Sequence, residues 1–284
     1  MSVMSSVREF HYRIATPALG HFPGHHRSRS GQSGFEFRGH ANLMDAPDPR
    51  RLDLHASLRD PFGNWIVRVY SQRLSIPVVM VVDVSASMGF VGAQRKLDVV
   101  ADFAESLGWS AWRTGDSFGF IGCDGAVRSD LLAPQTRSRG AGGLVAQALR
   151  GFRPTGVSAR GLLDAHRHLP RQRALVFLGS DFHLPMDDMP TLLRQFAPHE
   201  LVPVVVWDPL EFALPAQRGL APLVDLETGR RKLVWWRPFL REKWLEHQRA
   251  HRAALMALFS AQRLQPLIID GAFDADAVTR HFHA

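Results

Sequence analysis

Only one cysteine, Cys123, stands among the 284 residues. No internal disulfide can staple this chain, which fits a reducing compartment. No apolar stretch approaches the roughly 18–20 residues that a membrane span needs. The opening MSVMSSVREFHYRI lacks the apolar segment of a secretory signal, and the expected location is the cytoplasm. Phosphate-binding glycine patterns are missing too. RGAGGLVAQ has no third glycine at dinucleotide-motif spacing, and no Gly-x4-Gly-Lys occurs. Ser33 and Ser180 lack the Gly-x-Ser-x-Gly setting of a nucleophile elbow. HQRAH (247–251) imitates a zinc-protease motif, but Gln248 stands where the general base belongs. Two surface histidines one helical turn apart are expected there.

Acidic charge is in short supply as well: 27 Asp and Glu face 34 Lys and Arg, a formal net charge of +7. The surplus is mostly arginine and is spread along the chain. That favours acidic partners in general and gives no concentrated nucleic-acid footprint. HHRSRSG (25–31) is the one short basic cluster and reads as a solvated arm. The neighbouring His21, with His25 and His26, offers no preorganised metal geometry in a Gly/Pro-rich segment.

What is present is a core. Hydrophobic residues make up 45% of the chain and charged ones 21%, an ordinary globular balance. Residues 1–75 read as an N-terminal arm, loop-like in GHFPGHHRSRSGQSG and strand-like in NWIVRVYSQRL. Residues 76–284 alternate strands and helices. Pro77 to Val84 is a continuous apolar run, as in a parallel strand covered on both faces. Lys96 to Trp112 carries Leu97, Val100, Ala101, Ala104, Leu107 and Ala111 at helical spacing. SFGFIGC is a strand and DGAVRSDLL its returning hairpin partner. LVAQALRGF, ARGLLDAHRHL and MPTLLRQFA read as helices, RALVFLGSD and ELVPVVVWD as buried strands. A hairpin across ETGRRK, a helix from about Phe239 to Gln262 and a strand, PLIID, complete the chain. The packed, Cys123-ending strand implies an inert thiol, and Trp235 and Trp236 of VWWRPF are expected in core or edge packing. The predicted fold is α/β, a doubly wound, mainly parallel sheet with helices on both faces.

In such sheets ligands bind beyond the carboxyl ends of the strands. There the run VVMVVDVSASMG (78–89) places Asp83, Ser85 and Ser87, three polar groups in five residues. Residues two apart in an extended strand lie about 6.6–6.8 Å from each other, too far to share one magnesium ion. If the chain curls directly after Asp83, the two hydroxyls can wrap around a point near its carboxylate. All these donors are oxygens, which suits a hard cation rather than zinc. A second strand end offers GSD, with Asp181, and a further hydroxyl loop, PTGVSARGLL, precedes a predicted helix.

DVSASM, TGD, FGFIGC, GVSARGLL and FLGSDF together resemble a von Willebrand factor A domain with its metal-ion-dependent adhesion site. The resemblance implies that Asp83, Ser85 and Ser87 form the first ligand loop and that Asp181 ends the fourth strand. Ser158 sits where that family usually has threonine, and Thr155 competes with it. Around this core, GFEFRGH, DPRRLDLHASLRD, NWIVRVYSQ, DPLEFALP and LVDLETGRRKLV resemble a bacterial von Willebrand A-like family, number fifty-eight among domains of unknown function. Arg51, Leu52, Asp53 and Leu54 follow that family's Arg-x-Ile-Asp-Trp pattern without its tryptophan. MxaS-like relatives are linked to MoxR-type AAA+ ATPases. The resemblance therefore implies a non-catalytic interaction module binding magnesium, or manganese or calcium. A partner's Asp or Glu would complete the ion's shell, in assembly or activation of a client enzyme. The alternative is a magnesium-dependent hydrolase or phosphotransferase using Asp83, against which no lysine or acid/base partner stands at a recognisable spacing.

Overall fold

The computed structural model describes residues 8–14, 23–27, 36–71, 73–212, 219–224, 231–236 and 238–283. The chain divides into two units, Arg13–Ile76 and Met1–Tyr12 with Pro77–Ala284.

In the smaller unit, β1 (Pro23–Arg27), β2 (Glu36–Asn42), helix α1 (Leu54–Leu58), β3 (Ile66–Ser71) and β4 (Arg73–Leu74) form two antiparallel pairs, β1 with β4 and β2 with β3. β1 falls within the stretch expected to be loop. His21 lies outside the described residues, as do the side chains of His25 and His26. Asp53 ties this unit together. One carboxylate oxygen caps α1 by accepting from the Ala56 amide at 3.1 Å. The other accepts from Arg68 Nε at 2.7 Å and lies 3.1 Å from His40 Nε2.

The Arg68 hydrogen bond, helped by the Ala56 amide, holds the Asp53 carboxyl well below the ordinary 3.8. Because the folded value is the lower one, this stabilisation is complete above the unfolded value and is lost as pH falls through the folded one. Asp53→Asn should therefore flatten the acid limb of this unit's stability below about pH 4. Hydrogen exchange at the α1 and β3 amides reads this, and identical acid limbs in the two proteins would refute the role.

The larger unit is a six-stranded sheet. Its strands are β5 (Pro77–Asp83), β6 (Ser117–Cys123), β7 (Val127–Thr136), β8 (Leu175–Ser180), β9 (Glu200–Trp207) and β12 (Leu267–Asp270), in the order β12-β9-β8-β5-β6-β7. All neighbours are parallel except β6 and β7. A separate hairpin joins β10 (Gly219–Val224) to β11 (Arg231–Trp236); the side chains of Trp235 and Trp236 lie outside the described residues. The helices are α2 (Lys96–Arg113), α3 (Ala141–Gly151), α4 (Met189–Gln195), α5 (Pro238–Ala261) and α6 (Ala275–His283). The mainly parallel, doubly wound α/β architecture read from the sequence is the one observed.

Strand alternation sorts the core into two layers. Val176 and Leu178 face a cluster with Leu162, Phe182, Leu192, Phe196, Leu255 and Phe259. Phe177, between them, meets Phe103 of α2 edge-on at 5.4 Å and Phe282 of α6 at 6.0 Å. Helices α2 and α3 approach through two glycines: a Cβ added to Gly108 would lie 2.5 Å from the Gly142 Cα. Any side chain there would force the helices apart. Two elements differ from expectation. ARGLLDAHRHL forms two short 3-10 turns, Arg160–Leu163 and Ala165–His168, rather than one helix. The amide of Gly161 bonds to the Asp124 carbonyl, and Pro170 closes the run before another turn can form. α6 was not foreseen.

Candidate metal centre

β5 is the strand at which the order reverses. The chain runs from β5 outward to β6, then returns to β8 on the other side. At such a switch point the loops leave in opposite directions and open a crevice. Asp83 ends β5 there, and Ser180 ends the neighbouring β8 with Asp181 directly after it.

The chain curls directly after Asp83, as the spacing argument required. The Ser85 amide donates back to Asp83 Oδ1 at 2.9 Å, and Ala86–Gly89 form a 3-10 turn. This brings the Ser85 and Ser87 hydroxyls to 3.2 Å from each other. The Ser85 hydroxyl works to lower the Asp83 carboxyl, and the Ser87 hydroxyl that of Asp181. From β8, the Ser180 hydroxyl donates to Asp83 Oδ2 at 2.8 Å and itself accepts from the Phe182 amide at 2.9 Å. Phe182 adopts φ 56°, a left-handed conformation that costs about 1–2 kcal/mol. Its ring, buried against Phe259 at 5.3 Å, holds that turn in place. Asp83, Ser85, Ser87, Ser180 and Asp181 are all buried.

The third loop reaches this group through its backbone. The Ala86 amide donates to the Gly156 carbonyl at 2.8 Å, and Ser85 pairs with Gly156 as an isolated parallel bridge. Ser158 is half-buried and its hydroxyl accepts from the Arg160 amide at 3.2 Å, while Thr155 is exposed. Among the described residues no hydrogen bond joins either hydroxyl to Asp83, Ser85 or Ser87. Ser158 precedes a 3-10 turn rather than the expected helix, so its hydroxyl stands at no α-helical N-terminus.

Lys96, the first residue of α2, was missed by sequence reasoning. It is 1% exposed, with Nζ 3.0 Å from Asp181 Oδ2 and 2.7 Å from Glu211 Oε2. The signal was available: Lys96 falls on the same helical stripe as Val100, Phe103 and Leu107, where a lysine has no reason to be without a buried anion. It also corrects the expectation that no lysine accompanies the motif. Glu211, His183 and His251 complete the surroundings. His251 Nε2 lies 3.2 Å from the Phe182 carbonyl oxygen, and its ring sits 6.2 Å from that of His183. Of the two histidines expected on the surface, His247 is exposed and His251 is packed.

The charges divide unevenly between the two aspartates. Burial, then the negative charge of Asp181, pushes the Asp83 carboxyl up to about 7. Burial alone would raise Asp181 too, but His183 and Lys96 outweigh it and hold that carboxyl below its ordinary range. Burial works against the Lys96 charge, yet Asp181 and Glu211 raise its value. Burial raises Glu211. The pair thus keeps its negative charge on Asp181. Among the described residues no cation pairs with Asp83. Cys123, one strand away, is buried, and burial pushes its thiol up, in keeping with the inert role expected of it.

The family model described as "Protein of unknown function DUF58" matches residues 46–254, the bacterial family that the sequence motifs resemble. An "Uncharacterized protein in moxR 3'region" of Paracoccus denitrificans is 37% identical over 102 residues, covering 36% of this chain and 96% of its own. An uncharacterized protein of Mycobacterium tuberculosis is 29% identical over 211 residues, 72% of this chain and 65% of its own. The chain thus spans just under two thirds of that relative's length. Among solved structures, an aerotolerance-related membrane protein from Bacteroides fragilis aligns at 10% identity and TM-score 0.43, over 74% of this chain and 97% of that one. Proximal thread matrix protein 1 from the mussel byssus, with a zinc-occupied MIDAS motif, aligns at 15% identity and TM-score 0.33, over 46% and 38%. The vWF domain of the pilus tip protein Mfa5 from Porphyromonas gingivalis aligns at 20% identity and TM-score 0.28, over 40% and 43%. At such scores the likenesses carry no argument of their own, and the fold rests on the sheet order above.

Proposed function

Because the chain belongs to the family described as protein of unknown function DUF58, a fold-level membership that supplies no activity by itself, we propose its function from the site at Asp83. The chain is a non-catalytic, divalent-metal-dependent protein-interaction module. The observation that carries this is a buried carboxylate, Asp83, at the switch point of the sheet, surrounded by hydroxyls and paired with no cation among the described residues. An all-oxygen donor set of this kind fits magnesium, manganese or calcium. Asp83, Ser85 and Ser87 would hold the ion, with Asp181 alongside and Ser158 or Thr155 reaching it from the third loop. When bound, the ion supplies an electrophilic position that a partner's Asp or Glu can fill. Ser85 and Ser180 keep the Asp83 oxygens oriented, and the surrounding burial excludes competing water.

The Paracoccus relative, an uncharacterized protein in a moxR 3' region, supports a MoxR-type AAA+ ATPase as the working partner. Assembly or activation of a client enzyme is the task in which we place the pair. No described helix is long and apolar enough to cross a membrane. A purified MoxR-type ATPase from the same organism, titrated against this protein in magnesium and in EDTA, tests the reading. Binding of equal strength in both conditions would overturn it.

Between the two third-loop hydroxyls, Ser158 is the better enclosed. Ser158→Ala is therefore expected to weaken magnesium binding more than Thr155→Ala, measured by calorimetry. The reverse order would assign the role to Thr155. The buried Lys96 beside Asp181 favours one rival, a magnesium-dependent hydrolase or phosphotransferase. Turnover of a phosphomonoester that needs magnesium and disappears in Asp83→Asn would establish that rival instead.

A further inference from the structure

Lys96 stands in an expensive place. A lysine at the first position of a helix opposes the helix dipole, and burying an ammonium costs several kcal/mol unless anions surround it. The surroundings meet that need: Asp181 Oδ2 at 3.0 Å, Glu211 Oε2 at 2.7 Å and the Phe90 ring centroid at 5.8 Å. One more donor lies near the same two carboxylates. Asp181, His183 and Glu211 each offer a ligand atom, and these three atoms lie within 4.8 Å of one another.

We infer that Asp181, His183 and Glu211 form a second cation position, and that the Lys96 ammonium is its built-in occupant. Two carboxylate oxygens and one imidazole nitrogen make a donor set for zinc or cobalt rather than magnesium. The ammonium fills that position with one charge and no open coordination. The consequence rests on the proposed ion at Asp83: with Asp181 and Glu211 engaged by Lys96, Asp83 is the carboxylate left for an exchangeable ion. The position itself stands on its own geometry.

The test counts ions. Wild type, Lys96→Met and Lys96→Met/His183→Ala are dialysed against cobalt, and bound metal is measured alongside the visible absorption of histidine-ligated cobalt. Methionine keeps the length of the side chain and removes its charge. Lys96→Met should bind one cobalt equivalent more than wild type, with new absorption, and the double variant should lose both. Equal stoichiometry in wild type and Lys96→Met would overturn the inference. The outcome separates it from the reading of Asp83. Wild type without metal and Lys96→Met with one ion would sink the adhesion-type site and leave the second position standing; one ion in each would do the opposite. Removing the ammonium leaves two buried carboxylates unpaired, so Lys96→Met is also refolded with zinc and without it. Recovery that depends on zinc supports the inference. Failure to fold even with zinc counts against it, since the ion should then replace the lysine's charge.

Discussion

Asp83→Ala is expected to abolish magnesium and manganese binding, weakening affinity by at least about a hundredfold, while leaving the fold in place. The two halves of that expectation come from different observations. Asp83 provides the site's unpaired carboxylate, so its loss removes the charge that a hard cation needs. Yet the apolar core of this strand is built by its neighbours Val79, Val81 and Val82. Removing a buried charge that no described cation pairs relieves its desolvation cost, which offsets the loss of the hydrogen bonds from the Ser85 amide and the Ser180 hydroxyl. In EDTA the variant should melt no lower than wild type. In magnesium, wild type alone should gain melting temperature, because an ion binding only the folded state stabilises it. A variant that still gains in magnesium as wild type does would remove Asp83 from the site.

The second large effect lies on the partner's side. If a partner carboxylate fills the ion's open position, changing that one Asp or Glu to Asn or Gln keeps its shape and removes the charge the ion attracts. Loss of a central, desolvated charge contact typically costs about 2–5 kcal/mol, roughly a thirtyfold to several-thousandfold loss of affinity. Chelation should cost the complex at least as much. An ion with only a structural role gives another pattern: EDTA lowers the melting temperature, and no single partner carboxylate matters. Affinity for the purified partner, at matched ionic strength with magnesium and with EDTA, distinguishes the two. Equal affinities with the chelated protein still folded would end the adhesion reading.

The sheet was legible because its strands are buried on both faces and read as unbroken apolar runs. Pro77–Asp83 and Ser117–Cys123 were found almost to the residue. The curl after Asp83 was legible because oxygens two residues apart in an extended strand have no shared use. What stayed hidden depends on contacts distant in sequence. Glu211 reaches Lys96 from a different loop, and no local spacing announces that. The Ser180 hydroxyl looked like one more polar residue at a strand end until β8 was placed beside β5. β1 was obscured by Gly, Pro and basic residues that favour loops, and it forms by pairing with β4. ARGLLDAHRHL carries a helical pattern of apolar residues, but Gly161 fits against the Ala126 backbone with no room for a Cβ. Tertiary packing overrode the local preference there.

The bridge between Ser85 and Gly156 makes the first and third loops a single thermodynamic unit. The Ala86 amide hangs on the Gly156 carbonyl, and a Cβ on Gly156 would meet the Asp124 side chain at 2.5 Å. A substitution in either loop therefore displaces the other loop's backbone as well as deleting its own oxygen. Residues coupled in this way show interaction energies of about 0.5–3 kcal/mol, as large as many single ligand effects. Energies measured one at a time at Ser85, Thr155 and Ser158 will not sum to the affinity of the site. Only a double-mutant cycle across the bridge divides oxygen donation from loop placement.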